Sequence, residues 1–136
     1  MKRLVTVWFV LAFVVGSCSG SRNGAKAVPT ITPNDSFKFL GHDSGVVFLD
    51  VRTRNEYQSD TGHLNGAVLI PVDSLEDRLS ELQAYKSKTI IAYCRSGVRS
   101  SRAQQILTQY GYHVLSMLGG ITRWNQEHLP IIKEPR

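Results

Sequence analysis

Most of the structural information in this chain lies in one segment, which reads Thr89-Ile90-Ile91-Ala92-Tyr93-Cys94-Arg95-Ser96-Gly97-Val98-Arg99-Ser100-Ser101. Its first five residues are mostly apolar and β-prone, which predicts a buried strand over residues 89–93. From Ser100 onward, apolar residues recur at helical spacing, namely Ala103, Ile106, Leu107 and Tyr110. Cys94 is therefore predicted to lie in a tight loop between a strand and a helix.

The composition of this loop predicts an anion site around a reactive thiol. A glycine-containing loop that enters a helix N-terminus turns several backbone N–H groups toward one point, and the helix dipole adds to their field. Helix N-termini and neighbouring arginines lower a cysteine pKa from about 8.5 into the range of roughly 3.5 to 7.5. Arg95 and Arg99 belong to the loop, and Arg102 lies one turn into the helix. The sequence therefore predicts that Cys94 is a nucleophile that attacks a small anion.

A structural role for Cys94 is the alternative, because free cysteine is commonly buried as a small hydrophobic residue. The residues that follow it are polar and flexible, with Gly97 at their centre. Such residues suit a loop that exposes backbone donors better than they suit a packed core. The nucleophile interpretation is therefore preferred.

Strand-like and helix-like stretches alternate along the rest of the chain. The clearest strands are predicted over residues 46–50, 67–70, 89–93 and 113–117. Helix signals lie between them: a cap at Thr32-Pro33, a capping box from Thr53 to Glu56, and one apolar face formed by Leu75, Leu79 and Leu82. This rhythm predicts an α/β fold with a parallel β-sheet flanked by helices on both faces. Ligands of such sheets bind beyond the carboxyl ends of the strands, where Cys94 is expected.

The N-terminal residues predict export and lipidation. Met1-Lys2-Arg3 is basic, and Leu4 to Val15 is an apolar run of 12 residues, shorter than the ~20 residues that span a membrane. This pattern is typical of a secretory signal, and the segment ending in Cys18 resembles a bacterial lipobox. Residues 1–17 are thus expected to be a lipoprotein signal peptide, and residues 18–28 a lipidated N-terminus with a flexible linker. Residues 29–136 are expected to form the single folded domain.

The predicted location follows from this lipid anchor at Cys18. The protein is expected to be a cell envelope lipoprotein attached to the membrane. If the cell is Gram-negative, Ser19 resembles the sorting pattern for the periplasmic side of the outer membrane. An ordinary signal peptide with an incidental cysteine is the alternative.

Charge and residue counts narrow the function classes. The 136 residues carry a net charge of +5, which becomes +3 without Lys2 and Arg3. The basic residues form no long run with interleaved aromatics, so nucleic acid is not expected as a partner. The four histidines and two cysteines lack metal-ligand spacing, so neither a metal nor a cofactor is expected. No disulfide within the chain is expected, and the domain is expected to be a monomer.

Four short motifs in the right order resemble the single-domain rhodanese-like sulfurtransferases. They are Phe48 to Arg52; Glu56-Tyr57 with Gly62 to Ala67 and Ile70-Pro71; Cys94 to Ser100; and Leu118 to Trp124. The resemblance covers nearly all of the chain after the leader and implies a rhodanese-like fold. It implies that Cys94 is the catalytic residue, with Asp50 and Arg52 in support. The implied substrate-binding loop consists of Arg95, Ser96, Gly97, Val98, Arg99 and Ser100.

The chemistry of the family implies a two-step transfer. The Cys94 thiolate takes the outer sulfur of thiosulfate, or of a similar small anionic donor, and sulfite leaves. A thiol, cyanide or a protein acceptor then removes the sulfur from the Cys94 persulfide. Arg95 is expected to attract the donor, and Arg99 to reinforce the positive field at the far side of the loop.

Three departures from family patterns bear on the identity of the sulfur donor. Two-domain thiosulfate sulfurtransferases tend to have a basic residue where this chain has Ser96, and an arginine where it has Glu56. Mercaptopyruvate-using relatives share the pattern of Ser96, Gly97 and Val98 but carry glycine in place of Arg95. Thiosulfate or another charged sulfane donor is therefore expected.

Several of these residues also have structural interpretations. Asp50 suits a turn or helix cap, and Arg52 is expected to pair with Asp50 or Glu56 at the strand end. His63 is interpreted as a structural histidine. Trp124 is interpreted as core or pocket wall.

Two other functions remain open. One is a persulfide carrier or binding module without turnover, which would have the same loop. The other is a phosphatase or arsenate reductase of rhodanese-like fold, whose cradle has five residues between cysteine and arginine and a histidine before the cysteine. Here four residues separate Cys94 from Arg99, and Tyr93 precedes the cysteine.

Overall fold

A computed structural model describes residues 27–134 of the chain. Five strands are present in this part: β1 (Thr30–Ile31), β2 (Val46–Asp50), β3 (Val68–Leu69), β4 (Thr89–Tyr93) and β5 (His113–Met117). Four α-helices accompany them: α1 (Pro33–Phe37), α2 (Arg54–Tyr57), α3 (Val98–Gln109) and α4 (Gly120–Gln126). The strands form one sheet in the order β1-β5-β4-β2-β3, and each neighbouring pair is parallel.

The sheet separates two hydrophobic cores. Because successive residues of a strand point to opposite faces, Ile90 and Ala92 of β4 join one core, while Ile91 and Tyr93 join the other. Helix α3 covers the first face with buried residues that include Leu107. Helix α4 covers the second, where Trp124 is fully buried. The predicted parallel sheet with helices on both faces is confirmed.

The predicted strands 46–50, 89–93 and 113–117 have the observed bounds, whereas β3 is shorter than the predicted 67–70. The two-residue strand β1 was not predicted, because it depends on pairing with β5 at Ser116 and Met117. Helix α3 begins at Val98, before the predicted start at Ser100, since Gly97 turns the chain with a φ of 107°. Its left-handed conformation suits glycine, which has no Cβ.

The segment between β3 and β4 differs from its prediction. It contains two 3₁₀ segments, Val72–Ser74 and Leu79–Tyr85, in place of an α-helix. Their backbone hydrogen bonds join residues three apart, for example Leu75 N to Val72 O at 3.3 Å. A 3₁₀ turn contains three residues, so Leu79 and Leu82 still align toward the core, where Leu82 is fully buried.

The helix starts fall into two groups. The predicted caps are confirmed at α1, where Thr32 Oγ1 accepts from Asp35 N, and at α2, where Thr53 and Glu56 form a capping box. Helices α3 and α4 begin instead after Gly97 and Gly119, without a side-chain cap. Both of these open starts lie at the carboxyl ends of the strands, next to the segment that follows β4.

No helix within residues 27–134 is long and apolar enough to cross a membrane. The predicted signal peptide, linker and lipidated Cys18 lie mostly or wholly before residue 27, outside the described part of the chain.

Candidate active site

Cys94 directly follows β4 at the carboxyl edge of the sheet, and it is only 1% exposed. Its Sγ accepts a hydrogen bond from Gly97 N at 3.1 Å. The Ser100 hydroxyl lies 3.8 Å from the same sulfur. The loop therefore folds back over the sulfur and places hydrogen-bond donors around it.

The backbone of this loop stabilises a negative charge on the sulfur. Burial raises the pKa of the Cys94 thiol, but hydrogen bonds from the N–H groups of Ser100, Gly97 and Ser96 lower it, and the net pKa lies below its ordinary value. A thiolate that accepts hydrogen bonds is favoured over the neutral thiol. The largest lowering contributions come from backbone amides, which the sequence predicts together with the neighbouring arginines.

A cluster of serine hydroxyls lies beside the sulfur. Ser100 Oγ is 2.8 Å from Ser116 Oγ and donates to Gly97 O at 3.0 Å. Ser101 Oγ also donates to Gly97 O, at 2.9 Å. Ser116 is on β5 and 2% exposed. Sequence reasoning missed Ser116, because nothing near it in the chain indicates that β5 lies next to the loop.

The start of α4 fixes the loop from the other side. Ile121 N donates to Cys94 O at 2.8 Å, and Thr122 N donates to Arg95 O at 3.1 Å. A Cβ at Gly120 would lie 2.3 Å from Cys94 O, so only glycine allows this approach. The sequence predicts Gly119 and Gly120 only as part of the motif from Leu118 to Trp124, although two adjacent glycines also signal a turn or loop.

The three arginines near the loop are in different environments. Arg99 donates to Glu56 through Nη1 at 2.7 Å and Nη2 at 2.6 Å. Arg102 is exposed and lies 3.2 Å from Asp73. The positive field that the sequence predicts from Arg99 is therefore offset by Glu56, for which the sequence predicts a place in the capping box and an alternative pairing with Arg52, but not with Arg99.

The remaining loop residues face solvent. Arg95 and Ser96 are exposed, and Val98 is 77% exposed. Among residues 27–134, no hydrogen bond or ion pair engages the Arg95 side chain. Arg95 is thus available to an incoming anion.

Asp50 and Arg52 form a buried ion pair at the end of β2. Arg52 Nη2 lies 2.6 Å from Asp50 Oδ2, and both side chains are at most 1% exposed. The guanidinium also donates to Thr61 Oγ1 at 3.0 Å and to Gly62 O at 2.8 Å. Extra hydrogen bonds of this kind offset the desolvation cost of a buried pair. Of the two predicted partners of Arg52, Asp50 and Glu56, the ion pair forms with Asp50. The hydrogen bond from Arg52 to Gly62 O links β2 to the segment near residue 62.

His63 and Trp124 have the structural environments that the sequence suggested. The His63 ring stacks on Tyr57 with centroids 3.7 Å apart. Trp124 Nε1 donates to Pro130 O at 3.0 Å. Within the described residues, no cluster of His, Cys, Asp and Glu side chains is suited to a metal ion.

Two cavities, of about 720 and 520 Å³, occur elsewhere in the described part of the chain, and neither is lined by residues of the 94–100 loop. The Cys94 site is instead a short loop around one sulfur.

Known proteins with similar sequences belong to one family. The rhodanese-like domain family matches residues 34–127. A sulfurtransferase of Allochromatium vinosum is 36% identical over 94 residues, which make up 68% of this chain and 84% of that protein. The thiosulfate sulfurtransferase PspE of Escherichia coli is 32% identical over 74 residues, 54% of this chain and 69% of that protein.

Solved structures have the same fold. A rhodanese-related protein from Thermoplasma volcanium has a TM-score of 0.70 and 26% identity, covering 78% of this chain and 99% of its own. A rhodanese-like domain protein from Staphylococcus aureus has a TM-score of 0.66 and 29% identity, with coverage of 78% and 100%. The relatives support sulfurtransferase activity at the level of the family. Since the matched residues contain β2 through β5 and the whole Cys94 loop, this chain belongs to the rhodanese-like domain family.

Proposed function

We propose that this protein transfers sulfane sulfur from thiosulfate to a thiol or cyanide acceptor through a persulfide on Cys94. The observation that carries the proposal is the hydrogen bond from Gly97 N to Cys94 Sγ, together with the amides that lower the pKa of the thiol. A thiolate in a small cradle of N–H groups is suited to attack an anion and to hold the anion that results.

The first step forms the persulfide. The Cys94 thiolate uses an electron pair to attack the outer sulfur of thiosulfate. The sulfur–sulfur bond of thiosulfate breaks, and sulfite leaves with its electrons. The negative charge then resides on the terminal sulfur of the persulfide, where the loop amides stabilise it.

The second step returns the enzyme to its starting state. A thiolate or cyanide attacks the terminal sulfur, and the Cys94 thiolate leaves with the bonding electrons. Cyanide becomes thiocyanate, whereas a thiolate becomes a persulfide. Because the sulfur is held covalently between the two half-reactions, ping-pong kinetics are expected.

Arg95 is assigned to donor attraction and to the departing sulfite, because it is exposed and its side chain has no partner within residues 27–134. Loss of one preorganised donor to a developing charge costs about 10²-fold or more in rate. Arg95→Ala is therefore expected to lower kcat/KM for thiosulfate by about that factor, as measured by thiocyanate formation. An unchanged rate would remove Arg95 from the mechanism.

The phosphatase alternative is disfavoured by Arg99. A phosphate cradle needs an arginine that is free to bind two phosphate oxygens, whereas both terminal nitrogens of Arg99 donate to Glu56. The shorter spacing of four residues between Cys94 and Arg99 also favours a single sulfur over a tetrahedral phosphate.

Attachment to the cell envelope through a lipid on Cys18 is part of the proposal. Its support is the sequence before residue 19, where a basic start and an apolar run precede the cysteine. Labelling of the expressed protein with a fatty-acid analogue, compared with Cys18→Ser, tests it. Label that persists in Cys18→Ser would contradict the assignment.

The sulfur-transfer proposal is tested by intact-mass analysis in a Cys18→Ser background, which leaves Cys94 as the single cysteine of the chain. Thiosulfate is expected to add one sulfur at Cys94, and cyanide to remove it with thiocyanate appearing. The same protein with Cys94→Ser is the matched control. Unchanged mass, with Cys94 still open to alkylation, would exclude thiosulfate as donor. Persulfide formation without steady turnover would indicate a carrier.

A further inference from the structure

The ion pair between Glu56 and Arg99 lies at the Cys94 loop. Arg99 Nη1 and Nη2 donate to the two carboxylate oxygens at 2.7 and 2.6 Å. The side chains are 31% and 32% exposed. A partly buried bidentate pair of this kind is stronger and more directional than an ordinary surface pair. The charge of Arg99 is thus compensated where a donor anion must approach.

Glu56 is held in place independently of Arg99. Its Oε2 accepts from Thr53 N at 3.0 Å and from Thr53 Oγ1 at 3.1 Å. Glu56 N in turn donates to Thr53 Oγ1 at 3.3 Å. These bonds form the capping box of α2, so the carboxylate is a fixed point to which Arg99 is bound.

The charge at Arg99 acts on the sulfur. Hydrogen bonding to Glu56 raises the pKa of Arg99 most, burial lowers it, and a negative charge on Cys94 raises it further. The interaction of two charges is mutual. A change in the net charge of the Glu56–Arg99 pair will therefore change the potential at Cys94.

We propose that Glu56 is a specificity-determining residue, which neutralises Arg99 and so weakens the preference of Cys94 for dianionic over singly charged sulfur donors. With Glu56 present, Arg95 is the loop arginine without a partner in the described part of the chain. Without Glu56, two guanidinium groups would attract the donor. The substrate class that fits the native loop includes singly charged sulfane donors, such as alkanethiosulfonates, alongside thiosulfate. The donor part of this inference rests on the proposed sulfur transfer.

Thiosulfate and ethanethiosulfonate are a matched pair of donors. In each, the thiolate attacks the outer sulfur, and the sulfur–sulfur bond breaks with its electrons leaving on sulfite or on ethanesulfinate. The chemistry of the bond is the same, but thiosulfate carries one additional negative charge. The ratio of their rate constants for persulfide formation therefore measures the electrostatic field at Cys94. A substitution that disturbs the loop in general slows both donors and leaves this ratio unchanged.

The test compares this ratio in four proteins: wild type, Glu56→Gln, Arg99→Gln and the double variant. Glutamine preserves the capping box, because both Glu and Gln serve at that position. From the Coulomb energy of one charge over several ångströms at a protein surface, Glu56→Gln is expected to raise the thiosulfate-to-thiosulfonate ratio about three- to tenfold at low salt. Arg99→Gln is expected to lower it, and the double variant to return near wild type.

Glu81→Gln is the matched control. Arg78 donates to Glu81 at 2.6 and 2.9 Å, so this bidentate pair resembles the first but lies outside the loop. No change in the ratio is expected. An unchanged ratio in Glu56→Gln, or equal losses for both donors in the two single variants, would overturn the inference and indicate a structural role alone.

A second readout does not depend on sulfur transfer. Alkylation of Cys94 by anionic iodoacetate is compared with alkylation by neutral iodoacetamide in the same variants. The iodoacetate-to-iodoacetamide ratio is expected to follow the same order, with differences that shrink as salt screens the charges. If this ratio follows that order but neither donor forms a persulfide, sulfur transfer is wrong and charge selection by Glu56 stands. If persulfide forms and neither ratio changes, sulfur transfer stands and charge selection by Glu56 is wrong.

Discussion

Helices α3 and α4 both begin after a glycine with positive φ, 107° at Gly97 and 72° at Gly119, and neither start has a side-chain cap. At α3, the N–H of Gly97 donates to Cys94 Sγ. At α4, the N–H groups of Ile121 and Thr122 donate to backbone carbonyls of the loop. The first N–H groups of α4 thus hold the loop in place. The N–H groups at the start of α3 are directed at the sulfur, where they can stabilise an anion.

The starts of α1 and α2 complete the comparison. There, Thr32 and Thr53 use their hydroxyls to accept from the first free N–H groups. Among the helices that the structure describes, the two open starts therefore lie at the Cys94 loop, whereas threonine hydroxyls satisfy the first N–H groups of the two capped starts. Four predictions test this difference, in order of decreasing expected effect.

Gly120→Ala should have the largest effect. Its φ is 56°, and a Cβ would lie 2.3 Å from Cys94 O and 2.6 Å from Arg95 O. Backbone strain and the clash together should destabilise the protein by more than about 2 kcal/mol and nearly abolish persulfide formation. Chemical denaturation and intact mass measure both. Gly66→Ala is the control, because its φ is 71° and, within residues 27–134, no atom lies within 4 Å of where a Cβ would be. Equal effects of the two substitutions would contradict the role of α4.

Gly97→Ala should have a smaller effect on stability and a specific effect on the sulfur. A Cβ there would lie 3.5 Å from Gly119 N, so only the left-handed φ is strained, which costs about 1–3 kcal/mol. Relief of that strain moves the amide away from Cys94 Sγ, and the pKa of the thiol should rise. The pH dependence of alkylation measures this pKa. A loss of stability with an unchanged pKa would show that the α3 start does not act on the sulfur.

Ser116→Ala should affect the thiol pKa more weakly. It removes one of the two hydroxyl or carbonyl partners of Ser100 Oγ, and the Ser100 side chain is one of the groups that lower the pKa of Cys94. A modest rise in that pKa is expected, with a stability loss of about 1 kcal/mol. Ser36→Ala is the control, since Ser36 is also fully buried and donates to Thr32 O at 2.8 Å. It should lose similar stability and leave the pKa unchanged. The same pKa shift in both variants would argue against a hydroxyl chain.

The smallest effect is expected on the free energy of unfolding, when Glu56→Gln removes the charge at the capped start of α2. Hydrogen bonding to Arg99 lowers the pKa of Glu56 to about 2, against an opposing effect of burial. A lowered carboxyl pKa stabilises the folded state above the ordinary carboxyl range, and this contribution is lost as the pH falls toward 2. For an ion pair that is about one-third exposed, this contribution to the free energy of unfolding is about 0.5–1 kcal/mol.

Urea denaturation of wild type and Glu56→Gln measures this contribution. The stability difference should be present near pH 6 and shrink steadily below pH 4. A difference that does not depend on pH would show that the charge of Glu56 does not contribute.

Local patterns predicted much of this molecule. The strand ending at Tyr93, the thiol after it and the capping box of Thr53 and Glu56 each depend on residues close together in sequence. The short apolar runs of β2, β4 and β5 were also clear, because strands buried on both faces have few polar residues. These features place Cys94 at the carboxyl edge of a parallel sheet.

The features that sequence reasoning missed depend on contacts between residues that are far apart in sequence. Arg99 and Glu56 are 43 residues apart, and Ser100 and Ser116 are 16 apart. Strand β1 has only two residues, and its pairing partner is β5. The hydrogen bonds from α4 to the Cys94 loop require that both elements already occupy their places. Local propensity contains no signal for such pairings, because tertiary packing determines them.

The pKa of Cys94 in the folded and in the urea-unfolded protein, measured in a Cys18→Ser background, shows whether the open start of α3 stabilises a negative charge on the sulfur. The rate of reaction with iodoacetamide is expected to rise with pH at a lower midpoint in the folded protein than in the unfolded one. An equal or higher midpoint in the folded protein would mean that the loop does not stabilise the thiolate.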